Sequence, residues 1–214
     1  MWTKANDGSF QPNFVVLTDT KVVRREPIGL KGNQHNGFYY LQFSNGSGGL
    51  EKQMKDWIGN KTGRLYRAEI LAAQEFLAAR VGEVMNAPVR DCRFYGQDAR
   101  CVLMPYIAGD SGAEIDRDIP DNAQGVALRL FDYLVANADR RPKNIIFTPD
   151  DRIVGIDHAL CNFRLREPNE ELLAVLWNGG VDLELLSGLV PKFQALEPLF
   201  TTMGLGEKHR NLLI

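Results

Sequence analysis

The pattern of apolar and polar residues predicts mainly strands in the first half of the chain. Short runs of aromatic and aliphatic residues bounded by glycine, proline and asparagine are typical of strands. Five are predicted, at 14–17, 21–25, 38–43, 88–95 and 101–107. Glycine-rich stretches at 29–37 and 44–49 flank the aromatic strand 38–43, so this strand is expected to lie between two loops.

One long helix interrupts the predicted strands, over residues 64–81. Good helix formers dominate this stretch, and neither Gly nor Pro interrupts it. Helical spacing puts Ala72 and Phe76 on one apolar face, and Glu69 falls within the same stripe. A carboxylate on an inward face needs a partner or a chemical role. Glu69 is therefore a candidate site residue, with Glu75 as the competing choice.

The second half of the chain is mostly helical by pattern, broken by one polar loop and one hairpin. A helix is predicted over 122–136, followed by the polar stretch NADRRPKN at 137–144. Two short apolar runs, 145–147 and 153–156, are joined by a Pro-Asp-Asp turn and predict a hairpin. Residues 165–214 again show the helical pattern.

These elements predict an α+β protein with two lobes. Residues 1–107 are expected to form a small lobe with an antiparallel sheet and one long helix. Residues 108–214 are expected to form a minimal, mostly helical lobe. The boundary lies near 107–121, a stretch that is acidic, irregular and interrupted by Pro and Gly.

The composition excludes several classes of protein and identifies none. The 214 residues include 25 Lys and Arg against 27 Asp and Glu, a net charge of −2. No apolar stretch approaches the roughly 20 residues of a membrane span, and the balanced charge indicates neither a nucleic acid nor a membrane as partner. Three cysteines without CxxC spacing suit neither a disulfide framework nor a zinc site. With no secretory signal visible, we expect a cytoplasmic protein.

The chemistry is concentrated in the polar loop and the strand after the hairpin. Asp139 and Asn144 lie in the loop, and Asp157 follows the second hairpin strand. The hairpin is expected to fold Asp157 back beside the other two residues. Two carboxylates and an amide oxygen are the hard ligands that suit Mg²⁺ or Mn²⁺ with bound phosphates. Phosphoryl transfer needs this kind of site, with a carboxylate near the attacking hydroxyl.

The spacing of these residues resembles that of a known superfamily. N-x-D-R-x-x-x-N, here from Asn137 to Asn144, followed by a hairpin and Ile156-Asp157-His158, is similar to the pattern of the HipA-like kinases within the protein-kinase-like superfamily. It is also similar to that of phosphatidylinositol 3/4-kinase-like proteins. The resemblance implies a two-lobed, kinase-like fold and an enzyme that uses ATP with Mg²⁺ or Mn²⁺ to phosphorylate a Ser or Thr hydroxyl of a protein.

The resemblance also assigns roles in the second half of the chain. Asp139 would orient or deprotonate the acceptor hydroxyl, and Asn144 and Asp157 would hold the metal. Arg140, next to the expected γ-phosphate, is a further candidate catalytic residue because a guanidinium can steady phosphate charge.

In the first half, the resemblance implies a nucleotide-binding lobe. Gly32 and Gly37 belong to the glycine-rich loop that would cover the phosphates, and Glu69 would be the glutamate of the helix. Met104 and Tyr106 lie in the segment that would form the hinge against which adenine stacks.

One residue departs from the family pattern. The strand after the glycine-rich loop usually ends in Val-Lys-Phe, and its lysine holds phosphates; here it reads Leu41-Gln42-Phe43. Glutamine can donate a hydrogen bond to a phosphate but carries no charge. Three explanations follow: another cation replaces the lysine, the domain is a pseudokinase, or the nucleotide sits differently and supports another transfer such as adenylylation. The candidate cations are Lys31, Lys52, Lys55, Lys61, Arg64 and Arg67.

The sequence therefore leaves several functions open. A phosphotransferase acting on a protein substrate is the leading one. A pseudokinase that serves as a binding or regulatory module is the alternative of another class, and a lipid or small molecule is the alternative acceptor. Because only about 50 residues follow Phe163, the substrate platform is expected to be minimal or supplied by a partner protein.

Overall fold

A computed structural model describes ten stretches of the chain. These are residues 3–4, 10–11, 21–29, 36–59, 63–95, 98–137, 139–161, 163, 191–192 and 194–202. The predicted strand at 14–17, Gly32 and most of the helical pattern beyond residue 165 lie outside the described residues.

The first half contains a five-stranded antiparallel sheet and one long helix. In chain order the elements are β1 (Thr3–Lys4), β2 (Phe10–Gln11), β3 (Val22–Pro27), β4 (Gly37–Phe43), β5 (Gly48–Gln53), β6 (Trp57–Ile58), β7 (Leu65–Tyr66), α1 (Ala68–Met85), β8 (Arg93–Phe94) and β9 (Cys101–Met104). The sheet order is β3-β4-β5-β9-β8, while β1 pairs with β2 and β6 with β7. The α+β class is thus seen directly in these elements.

The described part of the second half contributes two helices, a small sheet and the polar loop. Its elements are β10 (Asp110–Ser111), α2 (Ala123–Leu134), a 3₁₀ turn (Pro142–Asn144), β11 (Ile145–Phe147), β12 (Ile153–Gly155) and α3 (Glu197–Thr202). The predicted hairpin is confirmed, since β11 and β12 pair antiparallel with Ile146 opposite Val154. The predicted helix over 122–136 is confirmed as α2, whose first turn is capped by the Asn122 side chain accepting from the Gly125 N–H at 2.9 Å.

Strand β5 is the main element that the sequence pattern did not predict. A turn containing Gly46, whose φ of +82° suits glycine, joins it to β4. Residue pairs that face each other across this hairpin include Phe38 with Lys52 and Tyr40 with Leu50. Because side chains alternate along a strand, Leu50 and Lys52 share one face of the sheet.

Helix α1 begins four residues later than predicted. Leu65 and Tyr66 pair with β6 instead of joining the helix. The helix starts at Ala68, whose N–H donates to the Asp56 carboxylate at 2.7 Å. It ends at Asn86, which adopts the left-handed conformation with φ 53°. Residues 65 and 66 of the predicted helix therefore belong to a strand.

One apolar core joins the five-stranded sheet, helices α1 and α2, and the β11–β12 hairpin. Leu50, Val102 and Phe76 pack between the sheet and α1, and Phe131 and Ile145 continue the core into the second half. At Gly82 a Cβ atom would come within 2.0 Å of the Val89 side chain, so this glycine allows the segment after α1 to pack tightly. The core thereby fixes α1, β5 and the hairpin relative to one another.

The described part of the structure contains neither a helix that could span a membrane nor a disulfide. Within the ranges given above, none of the helices is long and apolar enough to cross a membrane. Cys92, Cys101 and Cys161 are buried free thiols. Burial raises the pKa of the Cys92 and Cys161 thiols well above the ordinary value.

Candidate active site

A buried lysine forms the centre of the site. Lys52 is 2% exposed. Its Nζ lies 2.8 Å from Glu75 Oε2 and 2.6 Å from Asp157 Oδ1. Strand β5, helix α1 and the segment after β12 each supply one member of this set, which we call the Lys52 network (Lys52, Glu75 and Asp157). A charge buried so completely requires ionic partners, and both are present.

The two carboxylates hold Lys52 in its charged form. Burial by itself lowers the pKa of Lys52, but attraction to Asp157 and Glu75 outweighs burial and leaves the pKa above its ordinary value. Lys52 in turn holds the pKa of Asp157 below its ordinary value. The ammonium has three N–H donors, and two point at carboxylates within the described part of the chain. Within the described residues the third donor has no hydrogen-bond partner, and the neighbouring Asp157 carboxylate is 37% exposed.

Glu75, not Glu69, is the inward carboxylate of helix α1. Glu75 is buried and also accepts a hydrogen bond from the His158 N–H at 3.1 Å. Glu69 lies in the first turn of α1, partly exposed, and accepts from Arg100 Nε at 2.7 Å. The expectation that Glu69 faces inward is wrong, because Glu69 lies in the exposed first turn of α1, where it pairs with Arg100, whereas Glu75 lies in the buried middle of the helix.

Gln42 does not occupy the position of a phosphate-binding lysine. It lies opposite Gly48 on the same sheet face as Lys52, but Phe38 is the β4 residue opposite Lys52. Four residues of strand separate Phe38 from Gln42, which is a distance of about 13 Å. Lys52 on the next strand, one of the cations that the sequence offered as replacements, is the lysine that is buried between Glu75 and Asp157.

The polar loop brings Asp139 and Asn144 together. Asn144 is buried, and its Nδ2 donates to the Asp139 backbone carbonyl at 2.7 Å and to Asp139 Oδ2 at 3.3 Å. Arg141 Nη2 lies 2.5 Å from Asp139 Oδ1, and the Asp139 N–H donates to the Asn137 side chain at 3.1 Å. The loop thus fixes the Asp139 carboxylate from several directions.

Arg140 holds the loop and the strand after the hairpin together. Its Nε and Nη2 donate to the two carboxylate oxygens of Asp132 at 2.8 and 2.9 Å. Its Nη1 donates to the backbone carbonyls of Asn144 at 2.6 Å and Ile156 at 3.0 Å. We call this set the Arg140 clamp (Arg140, Asp132 and the two carbonyls). Arg140 was expected to steady a phosphate, but the structure directs these N–H groups to the protein itself.

Asp157 lies directly beyond Ile156, one of the residues that the clamp grips. Its backbone has φ +59°, a conformation that a non-glycine residue adopts only when its surroundings enforce it. The hydrogen bond from Ile156 N–H to the Asn144 carbonyl, 3.0 Å, ties the same segment to the polar loop. These contacts bring Asp157 to the side of the loop that carries Asn144, as the hairpin predicted.

The donor set suits a magnesium ion bound together with phosphates. Asp157 offers a partly exposed carboxylate. The described hydrogen bonds of the Asn144 side chain use only its nitrogen, which leaves the amide oxygen for a ligand. Mg²⁺ is commonly held by one or two protein oxygens, with phosphate oxygens and water completing the shell. Nowhere in the described ranges do three or more His, Cys, Asp or Glu side chains form a metal-binding group, so a cage built from the protein alone is not expected there.

Three of the remaining predicted residues lie on or just after the inner strands β4 and β9 of the sheet. Gly37 begins β4, and a Cβ there would lie 3.2 Å from the Tyr39 ring. Met104 is the buried last residue of β9, opposite Leu50. Tyr106 is exposed after that strand, and its ring meets Tyr40 edge-on at 6.3 Å between centroids. Gly32 lies outside the described residues, so the loop that would cover phosphates is represented only by its two ends.

Sequence reasoning did not assign the roles of Lys52 and Glu75, and it did not identify Asp132 as a site residue. Lys52 was named only among several cations, and Glu75 only as an alternative. No local pattern marks Lys52 as inward-facing, because Leu50 is the single aliphatic residue of its strand. Asp132 was not singled out at all, because one acidic residue within an amphipathic helix has no local signature of a buried partner.

Comparisons with known proteins give likenesses of structure only. No protein-family model matches the chain, and no curated protein matches it. Solved structures to which it is similar include Rio2 kinase from Chaetomium thermophilum in a complex with ADP, Mg²⁺ and phosphoaspartate; the two are 14% identical over 88% of this chain and 69% of that chain, with a TM-score of 0.48. A MAP kinase from Leishmania major is 16% identical over 67% of this chain and 47% of that chain, with a TM-score of 0.31. The functional argument rests on the residues of the site itself.

Proposed function

We propose that the chain has a protein-kinase-like fold and is an ATP- and Mg²⁺-dependent phosphotransferase of HipA-like type that phosphorylates a protein Ser or Thr hydroxyl. The observation that carries the proposal is the Lys52 network. A charged lysine is held between a helix glutamate and the aspartate that follows the hairpin, at 2.8 and 2.6 Å. This is the arrangement needed to place positive charge beside the phosphates of a nucleotide.

The residues divide the chemistry among them. Lys52 directs its remaining N–H at a phosphate oxygen, and Glu75 holds the lysine in place. Asn144 and Asp157 would hold Mg²⁺, or Mn²⁺, which when bound neutralises phosphate charge as it develops. Adenine would contact the chain at the end of β9, where Met104 lies, and at Tyr106 just after it.

Asp139 acts on the acceptor. The bond from the γ-phosphorus to the β–γ bridging oxygen breaks, and a new bond forms from the γ-phosphorus to the hydroxyl oxygen of the acceptor. The hydroxyl proton passes to the Asp139 carboxylate, which the polar loop keeps in a fixed orientation through Asn144 and Arg141. ADP leaves with the bridging oxygen.

The first test is nucleotide binding by the full chain. The melting temperature is measured with ATP alone, with Mg²⁺ alone and with both. ATP with Mg²⁺ is expected to raise the melting temperature of the wild type, because a ligand bound only by the folded state stabilises it. Asp157→Asn is expected to lose the part of the shift that depends on Mg²⁺. No shift with any combination would contradict the proposal.

The second test identifies the group transferred. The chain is incubated with casein as a generic protein acceptor and with ATP labelled at either the γ- or the α-phosphate. Label from the γ-position alone supports phosphorylation, whereas label from the α-position indicates adenylylation. Asp139→Asn is expected to keep the thermal shift with ATP and Mg²⁺ but lose transfer. Nucleotide binding without transfer of either label would favour the pseudokinase.

A further inference from the structure

A cleft of about 480 Å³ lies beside the segment that follows β9. It is lined by residues 89–91 after α1, by residues 105–108 after β9, and by parts of 148–154 in the β11–β12 hairpin. Neither the Lys52 network nor Asn144 contributes to its lining. Its volume is within the range of about 300–1,000 Å³ typical of small-molecule sites.

Arg90 gives this cleft a positive charge. The Arg90 side chain is half-buried, and within the described residues its buried Nε has no hydrogen-bond partner. Its backbone is anchored, since the Arg90 N–H donates to the Gly155 carbonyl at 3.0 Å. Burial lowers the pKa of the guanidinium, but an arginine side chain stays protonated in proteins. A buried N–H donor without a partner is rare in native structures, and a bound ion or water is a common explanation.

The other charged residues of the cleft already have partners. Asp91 pairs with Arg80 and, at 3.3 Å, with Arg93. Asp150 pairs with Arg152 at 2.7 Å. In the described part of the chain, Arg90 is therefore the charged cleft residue for which no ion pair is seen. The remaining lining includes apolar side chains such as Val89, Ile107 and Val154, which suit a hydrophobic body.

We propose that this cleft binds a small organic anion, whose carboxylate or phosphate pairs with the Arg90 guanidinium and whose apolar part packs against the cleft wall. Both anions match the planar fork of an arginine and accept two parallel hydrogen bonds from it. The cleft contains neither the Lys52 network nor Asn144, although Tyr106, proposed above to contact adenine, also lines it. Binding of the anion does not depend on transfer activity.

The test uses three probes of similar size on the full chain. Benzoate carries a carboxylate, phenyl phosphate carries a phosphate, and benzyl alcohol carries no charge. Affinities are measured by isothermal titration calorimetry for the wild type, for Arg90→Met and for Arg24→Met. Arg24 is the matched control, because it is an exposed arginine paired with Glu26 at 2.6 Å on strand β3.

At least one anion is expected to bind the wild type and Arg24→Met saturably and more tightly than benzyl alcohol. Loss of a charged hydrogen-bond donor is expected to weaken binding to Arg90→Met by about 10- to 100-fold. Which anion binds more tightly distinguishes a carboxylate from a phosphate ligand. Failure of both anions to bind the wild type, or equal affinity for Arg90→Met, would overturn the proposal.

The melting temperature without ligand supplies an independent measurement. If the guanidinium is kept for a ligand, Arg90→Met removes a half-buried charge that has no ion-pair partner in the described structure, and the melting temperature rises. A lower melting temperature for Arg90→Met than for Arg24→Met would show that the fold itself uses the charge, and that result would also overturn the proposal.

Discussion

Two ion networks meet at the segment 156–157, and they differ in what remains free. In the Lys52 network the lysine uses two of its donors within the described residues, and Asp157 is 37% exposed. In the Arg140 clamp the guanidinium donates four hydrogen bonds to protein groups, and the two charged side chains are 7% and 12% exposed. The Lys52 network therefore keeps groups with which it could bind a ligand, whereas the Arg140 clamp directs its hydrogen bonds to the protein itself.

The difference separates chemistry from support within the same few residues. The lysine is a compact charge with rotatable donors, so it can hold two carboxylates and still reach a third group. The planar arginine fork satisfies a carboxylate and two carbonyls at once, which fixes backbone positions. We therefore expect changes to the clamp to reduce the stability of the fold first, and changes to the Lys52 network to reduce transfer first.

The largest effect is expected from breaking the clamp. Arg140→Met leaves the Asp132 carboxylate and two carbonyls without their donor. The free energy of unfolding should fall by about 3–5 kcal/mol, the usual result of removing one partner of a buried ion pair. Urea denaturation followed by circular dichroism measures the change.

Arg141→Met is the matched control, because Arg141 is the neighbouring, exposed arginine. It should lose much less stability than Arg140→Met. The double variant Asp132→Leu/Arg140→Met should recover part of the lost stability, since it leaves no charge unpaired. Equal losses for Arg140→Met and Arg141→Met would show that the clamp does not support the fold.

The second effect concerns transfer. Lys52→Met removes the charge beside the proposed phosphates and should lower the rate of γ-phosphate transfer by about 10²–10³-fold, as loss of one charge-stabilising donor usually does. Lys55→Met, three residues along and exposed, is the control and should leave the rate unchanged. A rate for Lys52→Met close to that of Lys55→Met would remove Lys52 from the proposed mechanism.

Because Lys52→Met also leaves two carboxylates close together, its stability must be measured beside its rate. Lys52→Arg keeps the positive charge and should stay folded, while its different shape still impairs phosphate binding. A folded Lys52→Arg protein with full transfer activity would contradict the role of the lysine.

The third effect is a dependence of the protein's stability on pH, which we expect from His158, a residue that lies between the two networks. His158 is buried with its edge against Phe131, and among the residues that the structure describes its Nε2 has no hydrogen-bond partner. Burial, together with the positive charge of Arg140, lowers the pKa of His158 well below 6.5. Below pH 6.5 the unfolded chain therefore binds a proton that the folded chain does not bind. The free energy of unfolding consequently falls as the pH is lowered.

The free energy of unfolding of the wild type should fall by about 1.4 kcal/mol through His158 when the pH is lowered from 8 to 5.5. His158→Gln cannot take up this proton, so its free energy of unfolding should fall less over the same range. Urea denaturation of both proteins at matched pH values measures the difference. Parallel curves for the two proteins would mean that His158 does not titrate differently on folding.

The polar loop and the hairpin were predictable because their signals are local. Asp139, Asn144 and Asp157 lie within 19 residues, and a turn of Pro-Asp-Asp between two apolar runs fixes how the last returns to the first two. The structure has the strands at the predicted places, from Ile145 to Phe147 and from Ile153 to Gly155.

Lys52 was harder to predict because its burial depends on residues distant in sequence. Strand β5 reads GGLEKQ, with a single aliphatic residue, and no apolar alternation marks it as a strand. Its polar side chains are buried only because other elements satisfy them. Glu51 pairs with Arg25 at 2.9 Å, and Lys52 pairs with Asp157, 105 positions away. A local pattern cannot report such contacts.

The smallest effect tests the register of helix α1. Glu69 and Glu75 are six residues apart, which places them about 120° apart around the helix. Only Glu75 contacts Lys52, so Glu75→Gln should lower transfer, whereas Glu69→Gln should leave the rate within about twofold of the wild type, as expected for an exposed pair. The same γ-phosphate assay compares the two variants. A larger loss for Glu69→Gln would mean that α1 turns its other side toward the sheet when nucleotide binds, and the division of roles between the two networks would then have to be redrawn.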